Sequence, residues 1–383
     1  MDFTFDSSIV EKTREVSSKF DQTYWRGISR RQVFPTEYWN AIARSGLFGM
    51  VVSKEYGGLG KSLLDLCLST EETAERFAGI ASYLLLSGCL VSTLFSKSKD
   101  EQKERIIPKL AKGDLKISIA LSEEKSGLDS SSIETSATKI SGGYKISGEK
   151  RFVNNVDNAD YLVVFARTTP REASAKKSLG VSMFLVPARD NAVRARRLDK
   201  LGMDFIGNFD VALDGLIVQD DDLVGQFDYA WYNAVESFNR DRVATSASLI
   251  GTGRLALNDA TEYAKNRVVF NRAIGSNQGV QFPLADAACQ LIVAENMMLK
   301  AASLEAQGQG FLDAASFALY SSINAAAAAT DRALQTFGGH GYYKDYDVER
   351  YWRDVRVHRV HPISEELLLT GIAERSLGLP RSY

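Results

Sequence analysis

The feature that most restricts how this chain can fold is the period of its hydrophobic residues, which changes from about 3.6 to 2 and back again. Up to residue 113 the pattern is helical. "PTEYWNAIARSGLFGM" sets Tyr38, Ile42 and Leu47 at helix-like spacing with Gly46 near its end, and the stretch from Ser62 to Phe95 continues with long apolar faces. "SKDEQKERIIPKLAKGD" reads as a short charged helix broken at Pro108. From 114 to 225 apolar and polar residues alternate in runs rich in Val, Ile, Phe and Tyr, cut by Gly, Asn and Asp turns. "SGGYKISGEK" reads as a hairpin there. From 226 onward four long amphipathic segments return, with Gly338 placed as the C-terminal cap of an alanine-rich one. The expected fold class is α+β. It comprises an N-terminal helical domain (1–113), a middle antiparallel β domain of sandwich or barrel type (114–225) and a C-terminal four-helix bundle (226–383).

Composition removes several kinds of function. A chain of 383 residues with 45% hydrophobic and 25% charged residues has ample core for two or three domains. Its net charge of −2 provides no field to recruit nucleic acid or an acidic membrane. Cys67, Cys89 and Cys289 are odd in number and far apart, which fits a reducing cytoplasm better than a disulfide framework. The N-terminus lacks a basic stretch followed by an apolar one, so no secretory signal is expected. No apolar run approaches ~18 residues, and no membrane span is expected.

Short universal motifs carry little. "EYGGLGKS" at 55–62 ends like a phosphate-binding loop, but the position of that motif's first glycine holds Glu55. A carboxylate there opposes the anion, so a tight glycine turn between helices is expected. His340, His358 and His361 come without HExxH or CxxC, which argues against a metal site. "IGTGRLAL" has two glycines of a dinucleotide fingerprint but lies in a helical pattern, as a helix-packing site does.

Three longer stretches carry more: "SIALSEEKSGLDSSSIETSAT" (118–138), "RVVFNRAIGSNQGVQFPLAD" (267–286) and "LQTFGGHGYYKDYDVERYWRDVRV" (334–357). They resemble the acyl-CoA dehydrogenase family, and the resemblance runs over essentially the whole chain in the same α–β–α order. "EYGGLGKS" is similar to that family's Y-G-G-x-G turn. The resemblance implies an FAD enzyme that oxidises the Cα–Cβ bond of an acyl-CoA, passes electrons to an electron-transfer flavoprotein, and assembles as a homotetramer or dimer. It further implies that Ile119, Leu121 and Ser122, with Phe152, Val153 and Asn154, lie against the flavin ring. Arg267, Phe270 and Gln278 match residues that hold the adenosine diphosphate half, as do Gln335, Gly338 and Gly339, which a neighbouring subunit contributes in that family. Ser364 and Glu366 match further FAD contacts. An Arg fork suits a pyrophosphate, and glycine lets backbone N–H groups approach phosphate oxygens.

The pattern breaks at the base. The family's usual glutamate falls on Pro362, which cannot accept a proton. In a minority type the base precedes an arginine on another helix, and the matching stretch "ESFNRDRVA" places Asp241 there, followed by Arg242. Asp241 could instead belong to a solvated charge cluster on its own helix face, leaving Glu365 or another group as base. Phe238, Asn239 and Arg242 match substrate-side positions, and Leu128 replaces a serine that touches the substrate in the family. Two alternatives stay open: a non-catalytic FAD-holding subunit, and an oxygen-using oxidase or monooxygenase of the same fold.

Overall fold

The computed structural model describes residues 5–77, 79–361 and 363–381. The chain starts with six helices: α1 (Ser7–Ser17), α2 (Gln22–Arg31), α3 (Thr36–Ser45), α4 (Leu63–Arg76), α5 (Gly79–Leu90) and α6 (Asp100–Lys112). Eight strands follow: β1 (Ile117–Ala120), β2 (Ser136–Ile140), β3 (Gly143–Asn154), β4 (Tyr161–Arg167), β5 (Val181–Pro187), β6 (Val193–Arg197), β7 (Asn208–Gln219) and β8 (Leu223–Val224). Helix α7 (Ala230–Asn266) leads into a two-stranded ribbon, β9 (Val268–Val269) and β10 (Arg272–Ala273). Helices α8 (Gln278–Ala306), α9 (Leu312–Phe337), α10 (Val348–Arg356) and α11 (Glu365–Arg375) complete the chain.

The three-region order is as the periodicity indicates, with corrections in detail. The helical regions at the two ends of the sequence share one core, in which Trp25, Tyr38 and Phe48 are continuous with Val243, Leu291 and Ala315. Helix α6 runs through Pro108. The carbonyl that proline leaves without a donor is that of Glu104, an exposed residue whose carbonyl water can serve. The fourth long segment of the expected bundle is the short α11, and α10, whose Val348, Tyr351 and Val355 share one buried face, lies in a stretch assigned to no element from sequence.

The sheet order is β6-β7-β3-β2-β4-β5-β8, with β1 beside β4. Pairing is antiparallel except where β1 and β2 meet β4 in parallel, and the two ends remain open, so the sheet is not a closed barrel. Strand β4 is covered on both sides: Leu162 and Val164 enter the core within the sheet, while Val163 and Phe165 pack on Ile106, Leu110, Ala230 and Ala234 of the helices. Its continuous apolar reading, "YLVVFA", follows from that double burial.

The 57–61 loop settles the question raised by "EYGGLGKS". Leu59, Gly60 and Lys61 donate their backbone N–H groups to the carbonyls of Gly49, Val52 and Met50, each at 2.8 Å. A β-carbon on Gly58 would strike the Val52 carbonyl. The glycines close a tight turn whose N–H groups are already spent, and no phosphate cradle exists there.

Candidate functional site

A cleft of about 260 Å3 opens where α3, α5, β1, the end of β3, α7 and the segment after α10 converge. Its walls include Trp39, Tyr83, Ile119, Leu121, Ser122, Phe152, Asn154, Phe238, Asp241, Thr245, His358 and His361.

Strand alternation and a bulge shape the β side. Pairing of β3 with β7 slips between Lys150 and Val153. At that slip Phe152 takes φ +59°, a left-handed conformation that a bulky residue adopts only under constraint from its surroundings. Its ring is left half exposed. Val153 turns the other way, into the sheet's interior core. Of the "FVN" segment, Phe152 and Asn154 therefore offer side chains to the cleft, and Val153 offers none. Asn208 donates to Asn154 Oδ1 at 2.8 Å and fixes that amide. Asn154 in turn reaches the Tyr83 hydroxyl at 3.4 Å.

The loop after β1 is held by a buried ion pair that sequence reasoning missed. Lys150 Nζ donates to Glu123 Oε1 at 2.6 Å and to the Leu121 carbonyl at 3.1 Å. Glu123 also accepts the backbone N–H groups of Glu134 and Thr135. Burial opposes its charge, but Lys150 and these donors outweigh burial and hold the carboxyl below its ordinary value. Arg151 closes the loop through its backbone N–H to the Ser122 carbonyl at 2.8 Å. Leu121 and Ser122 are thus locked beside Phe152.

Helix α7 forms the opposite wall. Ser237, Phe238, Asp241 and Thr245 share one face at spacings of three and four residues. Burial raises the Asp241 carboxyl to about 6, with Arg242 pulling weakly the other way. The expected alternative, a solvated Asp–Arg cluster, is not formed. Arg240 pairs with Glu236 at 3.1 Å and Glu305 at 2.6 Å. Arg242 donates to Asn239 at 2.8 Å. Among the described residues no ion pair or hydrogen bond engages the Asp241 side chain. Its charge lies near Tyr83, whose hydroxyl burial and Asp241 together push to about 12.

The remaining expected residues fall in three places. Asn239 and Arg242, bonded to each other, are not among the residues that line the cleft. Leu128 is exposed on the loop before β2 and is not part of the wall. Glu365, the competing carboxylate, stands 3.8 Å from Arg359 and is also outside the wall. Ser364 caps α11 by accepting the Leu367 N–H at 3.3 Å, and Glu366 is exposed in the first turn. Pro362 lies outside the described residues.

Arg267, Phe270 and Gln278 lie at the far end of α7 and in the turn to α8. All three are exposed, with Phe270 at 94%, and Arg267 has no ion pair among the described residues. Gln335, Gly338 and Gly339 are nearby: Tyr263, one turn before Arg267, stacks on Phe337 and hydrogen-bonds His340 at 2.8 Å. Gly338 takes φ +57° and ψ −134°, a conformation open to glycine, and β-carbons on Gly338 or Gly339 would meet nothing within 4 Å. An unpaired Arg, an exposed ring and uncovered glycine backbone make a surface suited to the polar half of a dinucleotide. Twenty-six residues of helix separate Asp241 from Arg267, about 39 Å at 1.5 Å per residue.

Sequence reasoning also missed Tyr83, Thr245, His358 and His361 as cleft residues. The histidines were weighed only as metal ligands. Their place immediately before the aligned base position was the available signal.

Comparison with known proteins gives this α–β–α chain and its cleft their class. Family models for the acyl-CoA dehydrogenase N-terminal, middle and C-terminal domains match residues 6–114, 118–216 and 231–377. Acyl-CoA dehydrogenase FadE12 of Mycobacterium tuberculosis is 33% identical over 370 residues, 96% of this chain and 94% of the relative. The 3-(aryl)acrylate reductase of Clostridium sporogenes is 30% identical over 381 residues, 98% and 100% of the two chains. Among solved structures, butyryl-CoA dehydrogenase from Megasphaera elsdenii superposes with a TM-score of 0.92 at 25% identity, covering 98% of this chain and 100% of that one. The chain belongs to the acyl-CoA dehydrogenase family and is an oxidoreductase acting on CH–CH bonds.

Proposed function

We propose that the protein is an FAD-dependent dehydrogenase that introduces an α,β double bond into an acyl-CoA, with Asp241 as the base. The observation that carries this reading is the unpaired Asp241 carboxylate, enclosed in the cleft and raised to about 6. A base is most effective when its pKa lies near the working pH, and burial moves this one in that direction. A thioester seated in the cleft has Asp241 on the α7 side and Phe152 with Asn154 on the β side. Bound FAD supplies the two-electron acceptor for the β-hydrogen. Ile119, Leu121, Ser122, Phe152 and Asn154 would hold its ring. Arg267, Phe270, Gln278, Gln335, Gly338 and Gly339 would hold its adenosine diphosphate, and Ser364 and Glu366 flank the site. Asp241 takes the α-proton, and an acyl chain seated in the cleft excludes water that would compete for the carboxylate.

The separation of about 39 Å along α7 between Asp241 and Arg267 supports a cofactor shared between subunits. Exposed Val268, Phe270, Phe282, Ile292 and Val293 on the ribbon and α8 support an assembly, a dimer or a homotetramer. We take the electron acceptor to be an electron-transfer flavoprotein. Three free cysteines accord with a cytoplasmic setting. Among the described residues no helix is long and apolar enough to cross a membrane.

The test is direct. The purified protein should be yellow, and anaerobic acyl-CoA should bleach it. A colourless or unresponsive protein would instead be the non-catalytic subunit, and rapid air reoxidation after bleaching would make it the oxygen-using relative.

A further inference from the structure

The cleft wall is not hydrocarbon throughout. Leu84, Leu90 and Val91 line it on the N-terminal side, but the segment after α10 contributes His358 and His361, and α7 adds Thr245 one turn beyond Asp241. His358 is 8% exposed, and its Nδ1 is buried with no hydrogen-bond partner among the described residues. Burial, reinforced by the neighbouring His361, lowers the imidazole to about 4, so it is neutral at working pH. Thr245 is 3% exposed, and its hydroxyl makes no hydrogen bond to another described residue. The protein thus leaves His358 Nδ1 bare, and neither His358 Nε2 nor the Thr245 hydroxyl, both on residues of the cleft wall, is engaged by another described residue.

A neutral imidazole has one N–H donor and one bare nitrogen. An unpaired buried acceptor is tolerated better than an unpaired buried donor, so the proton belongs on Nε2. No described protein group accepts from that nitrogen. Water can do so while the cleft is open. A plain alkyl chain filling the cleft would expel the water and strand the donor, whereas an oxygen on the chain would accept from it.

We propose that His358, supported by His361 and Thr245, recognises an oxygen on the acyl group, so that the preferred substrate is a thioester bearing a hydroxyl or keto group rather than a plain hydrocarbon chain. This deepens the dehydrogenase reading and rests on it for the identity of the cleft as the acyl site.

Two thioethers, S-hexyl-CoA and S-(5-oxohexyl)-CoA, test the proposal by binding alone, because without a carbonyl beside sulfur neither has an acidic α-proton to lose. Titration calorimetry on the purified flavin-loaded protein should show the keto ligand binding about tenfold tighter, the scale of a hydrogen bond that would otherwise go unmade. His358→Phe should abolish or invert that preference. His358→Gln, which retains an N–H donor, should keep part of it and guards against a merely misfolded Phe variant. Equal affinities in the native protein, or a preference that survives His358→Phe, would overturn the proposal. Failure of both ligands to bind at millimolar concentration would count against the acyl cleft itself. A keto preference without bleaching by any acyl-CoA would leave the subsite standing and remove the dehydrogenase reading.

Discussion

Asp241 is where chemistry and stability pull against each other. Its carboxyl lies at about 6 against an ordinary 3.8. A raised pKa means the folded state disfavours the charge, so this residue's contribution is most favourable below the unfolded value and is lost as pH rises through about 6. Two units correspond to at most about 3 kcal/mol. Asp241→Asn should therefore stabilise the protein at pH 8 by about 1–3 kcal/mol in denaturant titration. The same change should slow flavin reduction by ~10²–10⁴-fold, because the amide cannot take up the proton. A holo variant reduced at the wild-type rate would remove Asp241 from the mechanism. In the native enzyme, stopped-flow reduction should rise through about pH 6 and level off above it, since only the ionised carboxylate accepts a proton. A flat profile from pH 5 to 8 would contradict the assignment. The candidacy of Asp241 was legible in "ESFNRDRVA", but its isolation was not. That depends on Arg240 turning to Glu305 and Arg242 to Asn239, contacts no local pattern encodes.

Among the elements, those with a strong period were the ones sequence could place. Helices α3, α4, α7 and α9 and most strands follow the spacing of their apolar residues, and α5 is recognisable only as a long apolar run. The parallel placement of β1 on β4 does not, because it joins residues far apart in sequence, Ile117 with Tyr161, and the loop that follows β1 is held by the buried Lys150–Glu123 pair. That pair gives the element scale its own prediction. Lys150→Met leaves Glu123 buried without its cation and should cost about 3–5 kcal/mol. Flavin should be lost in parallel, because Leu121 and Ser122 are no longer held beside Phe152. Unfolding midpoint and flavin-to-protein ratio measure the two effects, and a drop in stability with full flavin retention would show the loop to be independent of the cofactor. Val153 shows the limit of carrying a motif over residue by residue. Phe152 and Asn154 of the segment reach the cleft, but alternation sends every second side chain away from the site.

For the whole molecule, the distance along α7 makes subunit sharing testable by mixing. Arg267→Ala alone should weaken flavin retention by about 1.5–3 kcal/mol, the scale of a charged hydrogen bond. Asp241→Asn alone should bind flavin and not turn over. If each site draws Asp241 from one protomer and Arg267 from another, refolding the two variants together creates sites with both residues intact. In a dimer with random pairing, about a quarter of the sites are restored. Activity no greater than the sum of the separate variants would place both residues in the same protomer's site. The division into three regions was visible in the sequence, but the merging of the outer two into one core was not, since residues so far apart carry no shared local signal.

Helix α5 carries a cost that arises before the protein is complete. "GIASYLLLSGCL" is apolar nearly all round, with most of its residues buried. Part of its cover is Phe48, which a β-carbon on Gly88 would strike, and part comes later from α7: Ser82 and Ser248 hydroxyls are 2.6 Å apart, and a β-carbon on Gly79 would run into Thr252. On the ribosome, that cover is 166 residues away from Ser82. At 5–20 residues per second the helix waits roughly 10–30 s for its partner. Nascent chains should therefore engage chaperones between the emergence of α5 and that of α7. A fragment ending at residue 225 should be insoluble although it contains two of the three regions. A soluble, monomeric 1–225 fragment would show that the sheet and the first six helices can shield α5 without help.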